Sequence, residues 1–378
     1  PIQYAVLYRD AFTPMRTDDY VKAHLRFGHR SAVYIKHLLS SGINLGDINI
    51  SSDDLQNVKD LCHCESCILA RMRRPQHKPL DAKRHDNLKP FEYIVSDMTG
   101  PISPQAADGS NYVIHFTCVK TRYTWSACVA DRSDVLYHFA QFCDFVEQSG
   151  FTVNSIRHFK TDNAGEYSSG EFLDFCAGKN IKKLYTTAYA HEENGLAEVI
   201  WRDVSASTRA MMLSAELPQD LWHLAYDHSV WLHNRLPHRM TEWRIPFTEV
   251  FPDSILDLSM VRVFGCRAYQ FLDPAQRYAR QPGTSKHLAN RSKRTIYIGH
   301  SEISASWLLY DIDRQTVIRS GQPHFIEEFD KYGRRISNPV SDTVTDSYHK
   351  FTQLPDGFNA DYIVGDTTFT VSDHTVHY

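Results

Sequence analysis

Two short stretches carry side chains suited to gripping a metal ion. AHLRFGHRS (residues 23–31) places His24 and His29 with four residues between them, and LCHCESC (residues 61–67) holds three of the eight cysteines. Cys64 and Cys67 have the spacing that lets two thiolates hold one ion from a single tight turn. A redox pair at that spacing should open a helix after a strand in a thioredoxin-like unit, and no such pattern surrounds it. The histidine pair suits a helix and the bend after it, with both rings aimed at one point. His24, His29, Cys64 and Cys67 thus supply the four nitrogen and sulfur ligands of a closed tetrahedral zinc site, although Cys62 or His63 could replace one of them. One structural zinc would give a segment of about 70 residues with a modest core much of its folding free energy. The other five cysteines, Cys118, Cys128, Cys143, Cys176 and Cys266, lie among apolar residues and read as small core side chains.

Carboxylates form the second grouping. FKTDNAGEY (residues 159–167) ends an apolar run at Asp162 and turns at Asn163-Ala164-Gly165. Such residues favour turns by themselves, but the same arrangement also stands a carboxylate on a strand edge beside space for a cation. PFEYIVSDMTGPI reads as a strand running to Asp97 before a Gly-Pro break. In NGLAEVIWRDVSASTRAMML, Leu196, Val199, Ile200, Val204 and Met211 share one helical face, while Glu198, Arg202, Ser205 and Arg209 fall on another. Glu198 is then either a surface partner of Arg202, worth a few tenths of a kcal/mol, or a third carboxylate directed at the sheet edge with Asp97 and Asp162. Three carboxylates at one point repel, so such a cluster needs cations, and Mg²⁺ or Mn²⁺ suits oxygen ligands.

The elements between these residues set the frame that must position them. NYVIHFTCVKTRYTWSACVADRSD predicts two strands joined near Thr121–Tyr123. SDVLYHFAQFCDFVEQSG predicts a helix capped by Ser133, with Val135, Phe139, Phe142 and Val146 on its apolar face. A strand to Asp162, a short helix over residues 171–178 and a strand in IKKLYTTAY follow. Three hairpin strands, a helix, a strand, a helix and a strand make a mixed sheet flanked by helices, an order that fits a ribonuclease-H-like fold.

With 378 residues and 12% aromatic content, the chain is long enough for two or three cored domains. No apolar run reaches membrane-spanning length and no signal peptide is evident, so a soluble, intracellular protein is expected. The first residues, Pro-Ile-Gln, suggest a segment of something longer. The net charge of −4 conceals local runs. Residues 71–89 carry seven basic side chains against two acids, residues 262–294 carry eight against Asp273, and residues 338–378 carry six aspartates against Lys350. Screening limits each charge to about 8–10 Å, so basic stretches can meet phosphates on an acidic protein. Arg71, Arg73, Arg74, Lys78, Arg202 and Arg209 are the candidates for such contact.

These motifs together resemble the integrases of copia-type LTR retrotransposons, which are segments of a Gag-Pol polyprotein. Asp97, Asp162 and Glu198, with 35 residues between the last two, resemble the integrase triad, and His24, His29, Cys64 and Cys67 its HHCC zinc module. TDNAGEY and ENGLAE are similar to further family motifs, as are NRLPHR, RIPFTEVF, VRVFGCRAY and KRTIYIGHS, in order along residues 20–330. The resemblance implies an α+β multi-domain chain: a zinc module over residues 1–74 and a basic linker over 75–90, then a ribonuclease-H-like core with helical extension over 91–260. A small β-rich domain would cover 261–330, either a second DNA contact through its basic surface or a plain packing module, and an acidic tail over 331–378 would be disordered or a tether to a following domain. It implies a polynucleotidyl transferase that joins the 3′ ends of element DNA to target DNA, with end processing as a further nuclease activity. Two Mg²⁺ or Mn²⁺ ions about 3.5–4 Å apart would activate the attacking hydroxyl and stabilise the leaving oxygen, bridged by Asp97 and completed by Asp162 and Glu198. Double-stranded DNA and further copies of the chain are the implied partners, without membrane or nucleotide cofactor. The implied location is a cytoplasmic virus-like particle and then the nucleus.

Some residues depart from the family pattern. Glu198 is followed by Val199, Ile200 and Trp201, with only Arg202 kept, and the usual proline- and glutamine-rich stretch before Asn-Gly is replaced by residues 188–193, AYAHEE. Two added acids beside a DNA-facing loop would weaken phosphate binding. An inactive, zinc-stabilised DNA-binding remnant is therefore the alternative. A plain ribonuclease-H-type nuclease would explain neither the zinc ligands nor the spacing of the carboxylates.

Overall fold

The computed structural model describes residues 18–50, 64–71, 87–161, 165–185, 191–280, 285, 287–301, 304, 306–328, 360–364, 367–372 and 375–376. It divides into two compact units, Pro1–Ile336 and Ser337–Tyr378. The centre of the first is a mixed sheet built from β1 (Tyr93–Thr99), β2 (Tyr112–Cys118), β3 (Thr124–Val129), β4 (His158–Thr161) and β5 (Lys182–Tyr185). Its order is β3-β2-β1-β4-β5, antiparallel across the first three strands and parallel across the last three.

Both faces of this sheet are covered, and the alternation of strand side chains decides what goes where. Ile94, Ile114, Phe116 and Phe159 enter one core with Phe139 and Phe142 of α4 (Val135–Gln148) and Phe172 of α5 (Gly170–Gly178). Phe139 and Phe159 there approach to 4.5 Å between ring centres. Val95 and Val113, of opposite parity, enter a second core with Leu196, Ile200 and Val204 of α6 (His191–Ala215) and Tyr226 and Val230 of α7 (Trp222–Arg235). Each fully buried Phe or Ile contributes about 1.5–3 kcal/mol. The expected order of strands and helices is present. At the boundaries, β1 runs past Asp97 to Thr99, α5 starts at Gly170, and α6 starts at His191, ahead of Asn194-Gly195. The cap ahead of α4 is also different. Asp131 accepts a hydrogen bond from the Ser133 amide at 2.8 Å and a short 3-10 turn over Arg132–Asp134 leads into the helix, because a carboxylate two residues earlier reaches the same amide.

After α8 (Pro246–Val250) come β6 (Arg267–Phe271), α9 (Pro274–Arg280), β7 (Ser292–His300), β8 (Trp307–Asp311), β9 (Thr316–Ser320) and β10 (His324–Ile326). Their strands form an antiparallel sheet of order β10-β6-β7-β8-β9. Part of the basic run in this region faces inward. Lys293 pairs with the buried Asp311, Arg277 donates to the Leu272 carbonyl at 2.8 Å, and Arg262 donates to the carbonyls of Ser259 and Val261.

The N-terminal helices are α1 (Asp18–Arg26), α2 (Ala32–Ser40) and α3 (Glu65–Arg71). Val21 and Leu25 of α1 share a core with Val263, Ala268, Tyr297 and Leu309. Arg26, almost wholly buried, forks onto Glu327 and also pairs with Asp47. Burial alone would lower its pKa, but hydrogen bonds to Glu327 and Asp47 raise it above the usual arginine value. α3 packs on α6. In the second unit, β11 (Ala360–Val364), β12 (Thr367–Ser372) and β13 (Thr375–Val376) pair as an antiparallel meander within the acidic tail. No helix among the described residues is long and apolar enough to cross a membrane.

Candidate metal centres

His24, His29, Cys64 and Cys67 meet in one place: a ligand atom from each lies within 4.8 Å of the other three. His24 sits in the last turn of α1, and the chain then reverses through Gly28 and His29, both at positive φ. That turn is closed by the His29 amide bonding to the His24 carbonyl at 2.7 Å. Cys64 precedes α3 and accepts its first helical bond, from the Ile68 amide at 3.0 Å, while Cys67 lies inside the helix.

The atoms presented are those a metal requires. His24 donates Nδ1–H to the Arg30 carbonyl at 2.8 Å, which fixes the tautomer and leaves the Nε2 lone pair for Cys67 Sγ, 3.3 Å away. His29 Nδ1 stands 3.5 Å from Cys64 Sγ and 3.7 Å from Cys67 Sγ. A tetrahedral zinc with ordinary Zn–N and Zn–S lengths has N···S edges of about 3.6 Å, so the four residues fit that ion. Burial holds His29 below its usual pKa, as a neutral ligand must be. A hydrogen bond from the Cys67 thiol stabilises the Cys64 thiolate and lowers its pKa, although burial opposes this. Cys62 and His63, the possible replacements, lie outside the described residues.

Of the three carboxylates, Asp97 and Glu198 fall among the described residues and Asp162 does not. Asp97 is half-buried in β1, and its Oδ1 accepts from the Met98 amide at 2.9 Å. It has the parity of Val95, which places it on the face covered by α6 and α7. Opposite it in β2 stands His115, fully buried, with its ring parallel to that of Trp201 at 6.1 Å. Glu198 is exposed on α6, between the buried Leu196 and Ile200 that dock this helix against Val95. β4 ends at Thr161, immediately before Asp162.

The basic candidates divide. Arg71 donates to the Gly28 carbonyl at 3.3 Å and lies 3.5 Å from Asp203, and Arg209 donates to the Ala70 carbonyl at 3.3 Å. Both tie α3 to its surroundings. Arg202 lines a cavity beside α2, and Arg73, Arg74 and Lys78 lie outside the described residues. Sequence reasoning missed Asp203, which pairs with the buried Arg30 as well as with Arg71. Burial alone would raise the Asp203 pKa, but Arg30 outweighs that and holds it well below the usual carboxylate range. A faint signal was available: Arg30 follows His29 directly, and a charge beside a buried ligand needs a partner.

No family model matches the chain. By sequence it is similar to the retrovirus-related Pol polyprotein from transposon TNT 1-94 of Nicotiana tabacum. The two are 26% identical over 350 residues, covering 93% of this chain and 24% of that one. It is also similar to the polyprotein from transposon RE1 of Arabidopsis thaliana, 25% identical over 80% of this chain and 19% of that one. The chain is a homologue of retrovirus-related Pol polyproteins from plant copia-type transposons, and it spans about a quarter or less of their length. Among solved structures, it resembles the HTLV-2 integrase catalytic core domain in complex with magnesium, with 17% identity and a TM-score of 0.33 over 43% of this chain and 97% of that one. It also resembles a chain of a simian T-cell lymphotropic virus intasome bound to the PP2A regulatory subunit B56 gamma, with 15% identity and a TM-score of 0.37 over 75% of this chain and 95% of that one.

Proposed function

We propose that this chain is the integrase segment of a copia-type polyprotein and joins the 3′ ends of element DNA to target DNA. Its ribonuclease-H-like core would use Asp97, Asp162 and Glu198 to hold Mg²⁺ or Mn²⁺. The carrying observation is the parallel register of β1 and β4, which pairs Val95 with Lys160. Asp97 and Asp162 each come two residues after a member of that pair, and Glu198 rides on the helix packed against Val95. Homology along 93% of the chain supports the same reading.

Divalent ions, when bound, supply the charge that lowers the pKa of the attacking hydroxyl and neutralises the leaving oxygen. The chain's own residues fix the donors. Leu196, Ile200 and Val204 seat α6 on the sheet, and Val95 and Val113 beneath them hold the strand that carries Asp97. His24, His29, Cys64 and Cys67 would hold one zinc, and through α3 packed on α6 that site supports the helix bearing Glu198. Double-stranded DNA, acted on in the nucleus by more than one copy of the chain, is the proposed substrate setting.

An inactive, DNA-binding remnant is the second reading. Trp201, where the family pattern differs, stacks on His115, so a packing role has taken that position. A strand-transfer assay decides between the readings. It uses the zinc-loaded chain, a duplex with the element's terminal sequence, a plasmid target and Mg²⁺ or Mn²⁺. Joined products that disappear in Glu198→Gln establish the enzyme. Absence of products from a folded protein that still binds the duplex establishes the remnant.

A further inference from the structure

A cavity of about 280 Å³ opens between α2, the β2–β3 hairpin, α6 and the segment after α7. Three arginines line it: Arg122 from the hairpin, Arg202 from α6 and Arg239 from the turn after α7. The one carboxylate among its described lining residues, Asp203, is already engaged by Arg30 and Arg71. The cavity therefore gathers positive charge that nothing among the described residues cancels.

Arg122 is the informative member. It holds a left-handed backbone conformation, φ 65°, at the tip of the hairpin. Its Nε and Nη1 are shielded from solvent and have no hydrogen-bond partner among the described residues. Burial pushes its pKa down to about 10, as expected where no carboxylate compensates. A half-buried guanidinium with two donors unpaired is unfavourable, and an oxyanion held at its accessible edge would offset that charge. The hairpin is held rigidly below it, since the Arg122 carbonyl accepts from His233 Nε2 at 3.0 Å and the Arg122 amide donates to the Cys118 carbonyl at 2.9 Å. Arg239 is exposed, so the cavity meets solvent at that edge.

We infer that this cavity is a phosphate-binding site, in which the guanidinium groups of Arg122, Arg202 and Arg239 take the oxygens of one phosphate group. Planar, multiply donating guanidinium groups match that geometry better than a point charge does. The phosphate could belong to a nucleic-acid backbone or to a free phosphate compound. Arg202 follows Glu198 by one helical turn, about 6 Å along the axis, so a backbone phosphate here would lie beside the proposed joining site. That extension rests on the integrase reading; the site itself does not.

The test uses the full-length, zinc-loaded chain with two probes, inorganic pyrophosphate by titration calorimetry and a short duplex by fluorescence anisotropy. Arg122→Gln and Arg239→Gln are compared with wild type, with Arg314→Gln, an exposed arginine in the turn between β8 and β9, as control. The expected result is saturable pyrophosphate binding by wild type and control, weakened tenfold or more in both cavity variants, as the loss of a charge-assisted hydrogen bond would produce. Parallel weakening of duplex binding, with a shallower salt dependence, identifies a backbone phosphate. Unchanged duplex binding identifies a free phosphate compound. Equal affinity of wild type and Arg122→Gln for both probes overturns the site. Should Arg122→Gln fail to fold by circular dichroism, the surface variant Arg239→Gln decides by the same comparison. Pyrophosphate binding requires no joining activity, so a negative strand-transfer assay leaves it standing.

Discussion

Histidine does several different jobs in this molecule, and its surroundings decide which. His24 and His29 meet two sulfurs, whereas His228 is stacked against Trp231 and Phe264, and neither of its ring nitrogens has a hydrogen-bond partner among the described residues. Burial, reinforced by His300 and Arg235, pushes His228 down to about 3. A histidine whose folded pKa is depressed binds its proton more readily in the unfolded chain. Its contribution is therefore complete above the unfolded value near 6.5 and is lost as pH falls from there toward 3. Between pH 7.5 and 5 this one group should remove about 2 kcal/mol of stability. Urea unfolding of wild type and His228→Phe at both pH values checks this: the variant should lose about 2 kcal/mol less on acidification. An equal loss would mean that the ring is hydrated or paired in solution.

At the scale of elements, the reversal after α1 is the point where local geometry and the metal ligands meet. Gly28 has φ +65°, and a Cβ there would lie 2.6 Å from Ser207 Oγ and 3.0 Å from Leu232 Cδ1. The Gly28 carbonyl accepts from the same Ser207 hydroxyl at 2.6 Å, so the turn is pressed directly onto α6. Gly28→Ala should destabilise the chain by roughly 1–3 kcal/mol through backbone strain and overpacking. Because the turn separates His24 from His29, the variant should also bind zinc more weakly. Competition with a chromogenic chelator, run beside a thermal melt, measures both; unchanged values would show that the turn relaxes. Most of this was legible in the sequence. The histidine and cysteine spacings predicted four ligands on a helix, a bend and a tight turn. That the bend would rest on Ser207, 179 residues away, was not legible, because periodicity reports which face of α6 is apolar and not what lies against it.

For the molecule as a whole, α1 couples the proposed zinc site to the C-terminal sheet. Val21 and Leu25 belong to that sheet's core, and Arg26 forks onto Glu327, whose Oε1 also accepts from the Val263 amide at 2.7 Å. Breaking a buried pair of this kind leaves a charge uncompensated and is strongly destabilising. Zinc removal should therefore loosen regions far from the metal. Chelation is expected to lower the melting temperature by roughly 5 °C or more and to speed amide exchange in β7 and β8 as well as in α1–α3. Exchange that changes only in residues 18–71 would show the zinc module to be independent of the sheet.

The sequence by itself determined the alternation that builds the mixed sheet, the helical face of α6, and the residue types at both candidate metal centres. These are local properties, set by side-chain period and by ligand chemistry over a few residues. Only the tertiary structure decided that α1 packs into the core of the C-terminal sheet, and that Arg71 and Arg209 turn inward to backbone carbonyls. It likewise decided that Arg122 faces a cavity with Arg202 and Arg239. Those outcomes depend on which surfaces meet, and contacts such as Arg71 with Gly28, 43 positions apart, and Arg209 with Ala70, 139 apart, leave no spacing in the chain from which they can be read.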